Sequence, residues 1–184
     1  MILFSRLLNY SEYKERTDIM NIKFDKILSS KSELEGVDRT NPNNVVAMLV
    51  HTLCNYNPDN TDEFYNMLQY LLGDFQPLSP LMKQSIKDRM LQNGKYKFIG
   101  KSYFNGAVPT NDYTPASYEV EVKENPYSRT EEGLIRFLIK SGGADSDRPI
   151  TVRLAKDGNY YVWSDSFIGL LTDIRPMEST NPWA

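Results

Sequence analysis

His51 and Cys54 stand three residues apart, a spacing that makes their side chains neighbours on a helix. Side by side they would form a thiolate–imidazole nucleophile, the imidazole taking the thiol proton. The chain has one histidine and one cysteine, so it can build this pair once and no intrachain disulfide at all. A reactive thiolate is favoured at a helix N-terminus or beside positive groups. The apolar periodicity around Cys54 places it near a helix C-terminus, where the dipole opposes an anion. The spacing therefore predicts a packed cysteine beside a histidine at the solvent edge, not a catalytic pair.

Other spacings invite chemistry and decline it. Gly94-Lys-Tyr-Lys-Phe-Ile-Gly100-Lys101-Ser102 superficially offers a phosphate cradle, but that motif needs four residues between its glycines on a strand-to-helix turn. Here there are five, and the order is helix to strand. Ser141-Gly-Gly-Ala-Asp-Ser-Asp-Arg-Pro149 has two carboxylates, Asp145 and Asp147, but lacks the further oxygen ligands and bidentate glutamate of a calcium loop. It reads as a hairpin connection whose remaining use is partner contact. Glu119 and Glu121 alternate with apolar residues and so belong to the wet face of a strand, while Glu124, Glu131 and Glu132 complete no paired-acid site. No catalytic, cofactor or metal residue is expected, and the chain is read as a non-enzyme. Twelve tyrosines include Tyr56, Tyr103, Tyr113 and Tyr127 in loop-like places, and Trp183 stands one residue from the end. Tyrosine and tryptophan are enriched at interfaces. The candidate partner-binding residues are Asp145, Asp147, Arg148, Tyr103, Tyr113 and Trp183.

Charge narrows the partner. Twenty-one Lys+Arg against 24 Asp+Glu leave −3 over 184 residues, distributed almost evenly along the chain. That excludes attachment to nucleic acid by bulk positive charge, and equally a densely acidic DNA mimic. The N-terminal apolar run is broken by Ser5 and Arg6, unlike a signal peptide, and no stretch is apolar enough to span a bilayer. The expected setting is a cytoplasmic, soluble protein.

The elements that must position these residues change period once. Residues 1–40 read as an extension, with a short helix over Ile2–Tyr13 and a second plausible start at Met20. A single α+β domain then covers 41–184, its helices in 41–93 and its sheet in 94–184. Thr40-Asn-Pro-Asn-Asn caps a helix carrying Val45, Val46, Leu49, Val50 and Leu53. Asn60 or Thr61 caps a second, whose stripe runs Phe64, Met67, Leu68, Leu71, Leu72 and Phe75. Ser79-Pro80 opens a third, with Met82, Ile86 and Met90 at spacing four. Beyond Gly94 the period becomes two: Tyr96–Phe104, Tyr118–Lys123, Gly133–Lys140, Pro149–Ala155 and Asn159–Ser164 read as strands, the last two joined by a turn at Lys156-Asp157-Gly158. Phe167–Leu171 reads equally as a strand or a helical turn. Three helices followed by a curved antiparallel sheet of four or five strands make an α+β cone, analogous to nuclear-transport-factor-like or cystatin-like folds.

The run from Lys140 to Ser164, continuing through Leu170-Leu-Thr-Asp-Ile-Arg-Pro176, resembles an uncharacterised domain family of gut anaerobic Firmicutes and their mobile elements. Val45–Asn55 and Gly100-Lys-Ser-Tyr-Phe-Asn-Gly106 are similar to it too, so the likeness covers roughly 21–184. That family brings no activity and no catalytic residues. In this setting the chain also resembles anti-CRISPR inhibitors of Cas9, which share no common sequence signature. The resemblance implies a protein that binds guide-loaded Cas9 and blocks DNA binding or cleavage. The alternative is an α+β ligand- or protein-binding module with another partner.

Overall fold

The computed structural model describes residues 17–183, so the helix expected over Ile2–Tyr13 lies outside the described residues. Strand β1 (Asp18–Phe24) comes first, then a short helix α1 (Lys31–Glu35) and three longer ones, α2 (Pro42–Leu53), α3 (Asp62–Leu72) and α4 (Pro80–Leu91). Four strands follow: β2 (Tyr118–Glu124), β3 (Leu134–Ile139), β4 (Arg148–Leu154) and β5 (Tyr160–Val162). They form one antiparallel sheet in the order β1-β2-β3-β4-β5, curled into a half-barrel. The α+β plan read from the sequence is the plan of the molecule, with one strand gained and one lost. The fifth strand is supplied ahead of the helices by Asp18–Phe24, which pairs with β2 from Asp18↔Glu124 to Phe24↔Tyr118.

Helix α2 is the axis of the core. Asn41 caps it, its side-chain oxygen accepting the Asn43 amide at 3.0 Å, and Pro42 occupies the first turn where no amide is needed. Every residue from Val45 to Leu53 is buried, so the helix is enclosed on all sides. It contacts β1, β2, β4, β5 and α3. Register brings Val120, Val122, Ile135, Phe137, Ile139, Ile150, Val152 and Val162 to the inner face, all buried. Each such side chain stabilises the fold by roughly 1.5–3 kcal/mol through burial.

Helices α3 and α4 follow the predicted stripes, with one departure. Phe64, Met67, Leu68, Leu71 and Leu72 are buried, and so are Ile86 and Met90. Phe75, expected to extend the α3 stripe, is 61% exposed. The cause is Gly73, which ends the helix at φ +76, a left-handed backbone that only glycine adopts without strain, and turns the chain away. Ser79 caps α4 by accepting the Met82 amide at 3.1 Å.

The strand expected over Tyr96–Phe104 is absent. Asn93 and Gly94 both have positive φ, and the chain then winds through short 3-10 turns at Gln92–Lys97 and Lys101–Tyr103. Phe98, Ile99, Ser102, Tyr103 and Phe104 are all buried, adjacent residues included. A segment that buries adjacent side chains lacks the two-residue alternation that a half-exposed strand requires. Phe167–Leu171 takes the helical alternative as a 3-10 turn over Ser166–Leu171. The β4–β5 turn is as predicted, with Gly158 at φ +82 and the Ala155 amide donating to Asn159 across it at 2.9 Å.

Candidate functional site

The Cys54 thiol and the His51 ring have separate hydrogen-bond partners. The Cys54 thiol donates back to the Val50 carbonyl at 3.4 Å, and burial pushes its pKa up to about 12. His51 is not at the solvent edge but fully buried. Its Nδ1 accepts the Leu28 amide at 3.0 Å, which places the proton on Nε2. The ring sits edge-on between Phe24 and Phe104, both centroids 4.9 Å away, and Nε2 has no hydrogen-bond partner among the described residues. Burial pulls its pKa down to about 4, so it is neutral at pH 7. The neutral imidazole ties the 25–30 segment to α2.

Four of the six candidate partner residues prove to be internal fasteners. Tyr103 and Tyr113 are buried, a correction to their placing at an interface. The Tyr103 hydroxyl donates to the Leu170 carbonyl at 2.7 Å and the Tyr113 hydroxyl to that of Arg175 at 2.5 Å. Their polar tips are thereby hydrogen-bonded within the fold, as a buried tyrosine hydroxyl requires. Asp147 pairs with Lys123 at 2.8 Å, and the Arg148 guanidinium donates to the Asp173 carbonyl at 3.0 Å. Asp145 is exposed but joined to Arg175 at 2.8 Å, so the 145–148 loop holds the C-terminal segment onto the sheet. Trp183 is 92% exposed. The neighbouring glycines serve close approach: a Cβ on Gly142 would lie 1.9 Å from the Ala107 carbonyl oxygen, and one on Gly143 would lie 2.1 Å from the Tyr113 hydroxyl. Among the described residues no group of three or more His, Cys, Asp or Glu is placed to hold a metal ion.

Concave surface occurs elsewhere. Where β2 and β3 diverge, held by only the pairs Val122↔Ile139 and Lys123↔Leu138, a polar cleft of about 340 Å³ opens beside Asn21, Asn105, Glu119, Glu121 and Lys140. The more apolar hollow, about 600 Å³, lies at the other sheet edge between the α3 exit and the β4–β5 hairpin. Phe75, Gln76, Arg153, Leu154, Lys156 and Trp163 line it. Gly73 makes it possible by aiming Phe75 outward onto Tyr161, ring centroids 4.9 Å apart and edge to face. Gln76 then closes the free edge of β5, its amide nitrogen donating to the Leu72 and Val162 carbonyls and its oxygen accepting the Ser164 amide. Leu154 is 42% exposed at the end of β4, beyond the cover of the helices. Arg153 stacks on Trp163, its guanidinium 4.2 Å from the ring centroid.

Sequence reasoning placed Phe75 in a helix stripe and Leu154 and Trp163 in ordinary strands, and so missed the groove. The one signal available was Gly73, a helix terminator two residues before a large aromatic. Proximity of Phe75 to a hairpin some eighty residues later leaves no local trace.

Residues 26–178 match the family described as Domain of unknown function (DUF6935), and the matched span begins just after β1. No curated protein and no solved structure matches the chain. No helix among the described residues is long and apolar enough to cross a membrane. With that span covering more than half of its length, the chain belongs to the DUF6935 family.

Proposed function

We propose that this member of the DUF6935 family is a non-catalytic protein-binding module that docks a partner through the groove between Phe75 and the β4–β5 hairpin. The observation that carries the reading is the exposure of Phe75 and Leu154 together in one hollow with Trp163. Exposed apolar side chains scattered singly are ordinary, but a contiguous set in a hollow marks an interaction site. The groove also has the composition of an interface centre, two large aromatics, a leucine and an arginine stacked on a tryptophan. Its frame is rigid, because Gln76 and Tyr161 fix both walls with hydrogen bonds to backbone and side chain.

The narrowest form of this reading is the one the sequence resemblance implies, an inhibitor that binds guide-loaded Cas9 and blocks DNA binding or cleavage. Both forms are tested together. The immobilised chain and a Phe75→Ser/Leu154→Asp variant of equal thermal stability are compared for partner capture, with Cas9–guide complex among the partners offered. Partners held by the natural chain and released by the variant support the module. Equal capture by both removes the groove from the reading. Absence of co-elution and of cleavage suppression with several Cas9 orthologues removes the Cas9 form and leaves the module.

A further inference from the structure

Resting on the reading that the groove docks a protein, we infer that the segment it takes is acidic: a large apolar side chain flanked by aspartate or glutamate carboxylates. The argument is one of unspent hydrogen-bonding capacity. The two Gln76 amide nitrogen contacts and its oxygen contact occupy that side chain with backbone. Asp157, also on the groove wall, has both carboxylate oxygens engaged: one accepts the Asn159 amide at 2.9 Å, the other the Tyr161 hydroxyl at 2.6 Å. The polar groups left over are donors. Arg153 and Lys156 are exposed, and among the described residues neither side chain has an ion pair or hydrogen bond. Stacking on Trp163 orients the Arg153 guanidinium while leaving its in-plane N–H groups available, the geometry that suits bidentate binding of a carboxylate.

The adjacent strand adds a third cation. In the β3–β4 register Arg136 faces Thr151 and Leu134 faces Arg153, so Arg136 and Arg153 are diagonal neighbours on one face of the sheet, and Arg136 is exposed. A basic segment would bring like charge against three cations, whereas carboxylates beside the apolar anchor leave none of them covered and unpaired. Single-stranded nucleic acid is the other anionic polymer. Its affinity comes mainly from neutralising phosphates, and three cations on a chain of net charge −3 offer little of that.

The test is selection of a random peptide display library on the immobilised full chain, followed by fluorescence anisotropy of a labelled winner. The expected winners carry Asp or Glu beside Leu, Ile, Phe or Trp. Their binding weakens about tenfold or more in Arg153→Glu/Lys156→Glu and in Phe75→Ser, and weakens again at high salt. Winners without acidic enrichment that still depend on Phe75 overturn this inference and leave the docking reading intact. Acidic winners indifferent to all these substitutions, or no winners at all, overturn both. Binding of a labelled poly-dT oligonucleotide that is lost in the same charge-reversed variant overturns the inference in favour of nucleic acid. Thermal melts monitor folding throughout, and Lys156→Glu alone, at an exposed side chain without an ion pair or hydrogen bond among the described residues, keeps the readout interpretable if Arg153→Glu lowers the melt.

Discussion

At the scale of single residues, His51 makes the sharpest demand on solvent conditions. Its folded pKa of about 4 lies below the ordinary histidine value of 6.5, so folding favours the neutral form. The stabilisation is fully present above pH 6.5 and is lost as pH falls through the window from 6.5 to 4. It is the sole histidine, and Glu33 and Asp157, drawn down to about 2 by their hydrogen bonds, lose their contribution only at lower pH. A urea-unfolding series should therefore show a loss of about 2–3 kcal/mol between pH 7 and pH 4.5. In His51→Phe the slope over that window should flatten, although the variant starts lower because the Leu28 amide loses its acceptor. A slope unchanged by the substitution would assign the acid sensitivity elsewhere. Arg39 shows the complementary case of a charge used for packing. Its guanidinium lies 4.1 Å from the Tyr70 ring centroid and 4.6 Å from that of Tyr161, while its carbonyl accepts the Tyr160 amide at 2.9 Å. Arg39→Ala should cost about 1–2 kcal/mol in chemical denaturation, and Arg39→Lys should recover little, because an ammonium cannot stack between two rings.

Elements differ in how much of their cause is local. Helices α2, α3 and α4 were legible because caps and apolar spacing lie within a dozen residues of each other, as with Asn41 and Val45 or Ser79 and Met82. Strands β2, β3 and β4 were legible because each alternates, and β5 because the Lys156-Asp157-Gly158 turn precedes it. Strand β1 was not, since Asp18–Asn21 are all exposed and only Ile22 and Phe24 pack inward, leaving little alternation to detect. The 96–104 segment misled for the opposite reason, since adjacent residues such as Phe98 and Ile99, or Ser102, Tyr103 and Phe104, are buried together. The candidate site was less legible still: Tyr103 and Tyr113 carry interface-type side chains, but whether a tyrosine faces solvent depends on carbonyls sixty or more residues away. In the Ser141-Gly-Gly143 connection neither glycine has a positive φ, and both matter for room. That distinction can be measured. Gly142→Ala should destabilise by about 3 kcal/mol, since its Cβ would meet the Ala107 carbonyl oxygen. Gly158→Ala, at positive φ with nothing within 4 Å, should cost only about 1 kcal/mol. Equal costs in thermal or urea unfolding would refute the steric account.

At the scale of the whole molecule, the sheet is two ribbons joined by a narrow seam. β3 and β4 pair at six positions, from Leu134↔Arg153 to Ile139↔Arg148, and their inward residues are buried against the helices. β1 and β2 pair at seven, but β2 meets β3 at two, and β1 is the terminal strand of the sheet among the described residues and lies outside the family span. Opening β1 would expose little apolar surface beyond Ile22 and Phe24, whereas opening β3 would expose Ile135, Phe137 and Ile139 together. Native-state hydrogen exchange should accordingly rank the amides. Those of β3 and β4 should exchange only through global unfolding, and those of β1 through a local opening about 2 kcal/mol or more below it. The buried imidazole couples this opening to acidity, because Phe24 of β1 and the Leu28 amide both pack on His51. Moving from pH 7 to pH 5, after correction for intrinsic exchange rates, should lower protection in β1 and residues 25–30. Protection across β3–β4 relative to global stability should stay constant. If β1 is as protected as β3, the seam does not divide the sheet energetically. If β1 opens easily but with no dependence on pH, the ribbon is real and His51 is not its latch.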